Sequence, residues 1–178
     1  MNYNESTRQR IADLILGLHV KTTAGVLVAA HFTNTVQTEI FNIVGRIAVK
    51  QLFIELTAAA DANLTQVQFN CTFTTPAIGV NAMGGACASI ASLGAYGRIV
   101  HVGGAVATAA IITDSAGLTD VETAGKMHIL GGVSSAGVLT VGTIGMLISG
   151  ATQAATIAAT AHLFYVPMCP GAYAEAAL

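Results

Sequence analysis

Charge is what this chain has least of. Asp, Glu, Lys and Arg make up 9% of its 178 residues, against about 25% in an average soluble domain. The net charge is −2, and no basic cluster occurs. Nucleic-acid binding needs a positive stripe to meet phosphates, so that class is excluded. The few charges are unevenly spread. Residues 1–61 hold five basic and five acidic side chains; residues 62–178 hold only Arg98, Lys126, Asp114, Asp120, Glu122 and Glu175. A free monomer keeps charge on its surface to stay soluble. A chain without it belongs to a membrane or to a permanent assembly.

Chemical motifs are also missing. Cys71, Cys87 and Cys169 are odd in number and widely spaced, with no CxxC. They form neither a disulfide framework nor a zinc site, and read as reduced thiols of a protein made in a cytosol. The five histidines, His19, His31, His101, His128 and His162, are scattered with no HxH or HxxxH pair, so no metal is expected. Asp114, Asp120 and Glu122 fit no calcium loop. Gly125-Lys126 lacks the rest of a phosphate-binding loop, and no GxSxG occurs. His101, His128, Asp114, Asp120 and Glu122 are the candidates for a polar site, and they are expected not to converge. The chain therefore reads as no enzyme, with no cofactor. Met1 to Leu18 is no signal peptide, since Glu5 and Asp13 interrupt it. Ile129 to Gly150 is uncharged, but its glycines and serines favour a hairpin in a sheet over a spanning helix.

What is present is β pattern. Ile40 to Thr57 is its densest stretch. Ile47 and Val49 share one face, and Leu52, Ile54 and Leu56 form a second set. Side chains alternate faces with period two, so the buried parity switches between Lys50 and Gln51. That predicts either a β-bulge or a corner between two sheets. Gly45 supplies a turn before it. Val67, Phe69, Cys71 and Phe73 predict an apolar face on a strand that Pro76 ends. Further strands are expected at 26–30, 97–102, 106–113, 127–130, 138–141, 144–149 and 162–166, the last stopped by Pro167 and Pro170. Ala77 to Leu93 reads as loop with a short helix. Ala151 to Ala161 reads as either a short helix or a long connection, and Gly171 to Leu178 as a tail. Short strands between turn residues, without long helices, predict an all-β sandwich or barrel.

Glu5 to Leu18 reads as a short helix capped by Ser6 or Thr7. Ile11, Leu14, Ile15 and Leu18 fall at i, i+3, i+4 and i+7, one apolar stripe. A helix this short is marginal alone and needs a docking surface. The expected division is an arm over 1–30 and a β-sandwich over 31–178. The arm is the predicted interaction site. Ile11, Leu14, Ile15 and Leu18 dock on protein, either on the chain's own sheet or on a neighbour. Arg8 and Arg10 face a binding partner or that neighbour.

Three stretches carry a resemblance: Gly45 to Thr57 (GRIAVKQLFIELT), Gly142 to Ala151 (GTIGMLISGA) and His162 to Ala177 (HLFYVPMCPGAYAEAA). With the low charge, they resemble small virion proteins of tailed bacteriophages, in particular capsid decoration, or cement, proteins. The resemblance implies a β-sandwich or jelly-roll subunit on the outside of a phage head. It implies a homotrimer, made in the host cytoplasm, with itself and the major capsid protein as partners. A tail or other minor virion component is the alternative, and a membrane-associated protein the alternative of another class.

Overall fold

The computed structural model describes residues 17–75, 77–101, 111–113, 128–132, 137–153 and 156–178. Among these described residues twelve strands follow in order: β1 (Leu18–Lys21), β2 (Leu27–Val28), β3 (Gln37–Val44), β4 (Ile47–Ala58), β5 (Thr65–Thr75), β6 (Ala77–Ala82), β7 (Arg98–His101), β8 (Ile111–Thr113), β9 (His128–Leu130), β10 (Val141–Gly150), β11 (Ala158–Pro167) and β12 (Tyr173–Ala176). A 3-10 turn, Ala29–Phe32, follows β2. One sheet runs β1-β11-β4-β7-β8, with β2 also on β11 and β9 also on β4. The other runs β12-β3-β10-β5-β6. Pairing is antiparallel in both. The molecule is an all-β sandwich, as the alternating patterns predict; these strand orders do not establish a jelly-roll.

β4 is the centre of the first sheet, between β11 and β7. Val49 lies opposite Tyr165 and Gln51 opposite Phe164, so Lys50 is the extra residue of a bulge. Two residues on β4 there oppose one step on β11, which moves the buried set from odd to even numbers. Ile47 and Val49 are buried before the bulge; Leu52, Ile54 and Leu56 are fully buried after it. The passage between sheets lies earlier, at Gly45-Arg46, where the chain leaves β3 and enters β4. Gly45 and Gly131 both hold positive φ, 75° and 73°. A Cβ on Gly131 would run into the Gly45 carbonyl, so the two backbones meet where only glycine fits. The inward side chains of both sheets, among them Phe41, Ile43, Phe69, Ile144, Met146 and Leu163, form one cluster with the β4 set.

Several elements differ from expectation. Ile129 to Gly150 is not a hairpin: Val141–Gly150 is one strand, and β9 and β10 lie in different sheets. Gly142 and Gly145 sit inside β10 because a side chain would strike the Thr72 and Thr38 carbonyls. Ala77–Ala82 is a strand on β5 rather than loop or helix. The second half of Ala151 to Ala161 begins β11 instead of forming a helix or connection. The supposed tail is β12, paired with β3. Residues 18–28 also pair into the first sheet through β1 and β2, so the sandwich begins before the boundary expected at 30/31. Pro76, residues 102–110 and residue 127 of the expected strands lie outside the described residues.

Buried Gln153 fixes one end of the sandwich. Its amide donates to the Asn63 carbonyl (3.1 Å) and the Thr65 hydroxyl (2.8 Å), and its Oε1 accepts from the Asp61 amide (2.8 Å). The connections β4–β5 and β10–β11 are thereby held together.

Candidate interaction surface

Strand alternation decides what the outer face of the first sheet carries. Ala161, Leu163 and Tyr165 are buried, which turns His162 and Phe164 of β11 outward. The even-numbered core residues of β4 likewise turn Gln51, Phe53 and Glu55 outward. On the neighbours, His19 lies opposite Phe164, Lys21 opposite His162, and Arg98 opposite Glu55.

Four rings from three strands pack there in nearly parallel planes. His19 lies against Phe164 with centroids 4.3 Å apart, and Phe53 against His162 at 4.7 Å. At such separations parallel rings overlap face to face. His19 and His162 have centroids 5.4 Å apart and planes 6° apart, with His19 Nε2 and His162 Nδ1 at 3.2 Å. That pair lies side by side and shares one hydrogen bond. The Arg98 guanidinium stands 5.2 Å from the Phe53 centroid, on the β7 side, away from His162 on β11. Phe53 is therefore covered on both faces and is buried although it points outward. Arg98 Nε also donates to Glu55 Oε2 at 2.7 Å. The partly exposed pair is worth little on its own, but it holds the guanidinium over the ring. Burial, then Lys21, lowers the pKa of His19. Burial, then His19, lowers that of His162, against an opposing pull from Glu55. Both shifts favour the neutral imidazole.

The outer face of the second sheet is different. Gln66, Gln68, Asn70 and Thr72 of β5 and Thr143 and Ser149 of β10 make it polar and poor in charge. Weak side-chain bonds cross it: Gln37 to Thr72 at 3.4 Å, Thr143 to Glu39 at 3.4 Å and Ser149 to Gln66 at 3.5 Å. Among the described residues its only charges are Glu39 and Glu175. At one end Tyr173 and Val141 both lie opposite Val44, an apolar row across β12, β3 and β10. Tyr173 is 44% and Val141 43% exposed. Asn70 is buried with neither amide atom bonded, lying over Gly145.

The expected arm is only partly placed. Arg8, Arg10, Ile11, Leu14 and Ile15 lie outside the described residues. Leu18 is not the last residue of a helix: it begins β1 opposite Tyr165, where it packs against the core of its own chain. Histidines scattered in the sequence meet as pairs in the fold. Besides the His19–His162 pair, His101 and His128 bring their rings within 4.8 Å, edge to face. His101 lies opposite Leu52 and so points inward, against Phe69. Its Nε2 has no hydrogen-bond partner, and burial, then His128, pushes its pKa down to about 4. Asp114, Asp120 and Glu122 lie outside the described residues. Among the described residues, no three His, Cys, Asp or Glu side chains gather where an ion would sit. Sequence spacing could not reveal the outer pair, whose members are 143 residues apart. Compared with family models, curated proteins and solved structures, the chain matches none.

Proposed function

We propose that this chain is a structural virion protein of a tailed bacteriophage, a decoration or cement subunit on the outside of the capsid. In this role it self-associates as a trimer and bridges subunits of the major capsid protein. Its work is mechanical: buried area across the joints of the shell raises the barrier to opening, without chemistry. The main support is the outer face of the second sheet. A surface of Gln, Asn, Thr and Ser with two carboxylates among its described residues, edged by the row Tyr173–Val44–Val141, suits lasting contact with protein. Lasting interfaces are poor in charge, and exposed apolar rows mark sites of protein contact. The resemblance to cement proteins supplies the identity of the partner.

Ile129 to Gly150, the uncharged stretch behind the membrane alternative, supplies β9 and β10 rather than a helix. Among the described residues no helix is long and apolar enough to cross a membrane, which says nothing of strands.

The test is reconstitution. Purified protein is added to phage heads depleted of it, and bound copies and the temperature of shell opening are measured. Saturable binding with a raised opening temperature is expected. Heads that bind no protein, or bind it without gaining stability, overturn the cement role.

A further inference from the structure

β1 is four residues long and pairs only with β11 among the described strands. Beyond it the chain is clamped. The Thr22 amide donates to the Ala161 carbonyl (3.1 Å), the Thr22 hydroxyl accepts from the Ala161 amide (3.0 Å), and the Thr160 hydroxyl accepts from the Gly25 amide (3.0 Å). Any opening of this edge is thus confined to the side of β1 before Thr22. Leu18 and Val20 pack against the core and hold it closed.

The outward side of β1 is held by the bond between His19 and His162. That bond needs one nitrogen with a proton and one without. Once both imidazoles are charged, two donors face each other at 3.2 Å. The surroundings oppose that charge. Lys21 on β1, Arg98 on β7 and Lys50 on β4 share this face, and Glu55 on β4, already engaged by Arg98, is its one described acid.

We propose that the His19–His162 pair is a proton-operated latch on the edge strand β1, closed at neutral pH and released in acid. Release frees Gly17 to Lys21 from β11 and leaves the Thr22 clamp and the rest of the sandwich in place. The sign follows from the lowered histidine pKa values: the opened edge binds protons that the closed edge rejects. Opening is therefore favoured as pH falls below about 6.5, by up to about tenfold per pH unit for each proton taken up. The latch does not depend on the virion role.

Amide hydrogen exchange from pH 7.5 to 5, corrected for intrinsic rates, tests this on the full chain. Protection of Leu18 and Val20, the β1 amides that point at β11 in register with the Thr22–Ala161 bond, should fall at least tenfold, while amides of β4 and the far end of β11 stay constant. In His19→Gln, which keeps a hydrogen-bonding side chain but cannot titrate, the β1 fall should be reduced by about tenfold or more. NMR titration of the wild-type imidazoles should show both charging below pH 6.5. Constant β1 protection in the wild type, an equal fall in His19→Gln, or two histidines titrating normally without loss of β1 would overturn the latch.

Discussion

At the scale of single residues, position in the sandwich decides the cost of a change. Ile54 is fully buried, opposite Ala161 on one side and Ile99 on the other. Ile54→Ala should cost about 2–5 kcal/mol by denaturant unfolding. A loss under about 0.5 kcal/mol would mean that the face is exposed. His101 makes a pH prediction. It is held neutral with its pKa near 4, against 6.5 in an unfolded chain. A depressed histidine pKa costs nothing above pH 6.5, and stability falls as pH drops through 6.5 and levels near 4. The full loss is roughly 3 kcal/mol. Unfolding at pH 7 and pH 4.5 should show that loss in the wild type and most of it absent in His101→Leu. An equal acid loss in both proteins would clear His101 of responsibility.

At the scale of elements, the bulge at Lys50 is the clearest case. Deleting Lys50 restores strict alternation through β4. If Leu52, Ile54 and Leu56 keep the core, Ile47 and Val49 must turn outward. Exposing two such side chains costs about 3–6 kcal/mol, measured as a drop in the denaturation midpoint. A deletion within about 0.5 kcal/mol of the wild type would remove the bulge from the account. β4 and β5 were legible in sequence because bulky apolar residues alternate with polar ones, and the parity switch at Lys50 could be counted. Other strands hid for physical reasons. Ala158 to Ala161 and Tyr173 to Ala176 offer little contrast between faces. Gly142 and Gly145 read as turns, yet each is a glycine because another backbone comes close. The ring cluster was illegible because His19, Phe53, His162 and Phe164 come from three strands, and only the register brings them together.

At the scale of the whole molecule, the sandwich closes one core and leaves two unlike outer faces. One is tiled with rings and carries most of the described cations; the other is polar, charge-poor and edged with apolar residues. The proposed assembly would bury the second face and so offset the scarcity of surface charge. The purified protein should therefore be a stable oligomer, a trimer, by light scattering at micromolar concentration; a monomer there would contradict a permanent intersubunit interface. The central claim is that the chain is a repeated part of a shell. Its most direct test is the copy number of this polypeptide in purified particles of the proposed phage, counted by quantitative mass spectrometry against the major capsid protein. Many copies are expected, in fixed proportion to the shell subunits. A few copies per particle would place it in a tail fitting, and its absence from particles would contradict the account outright.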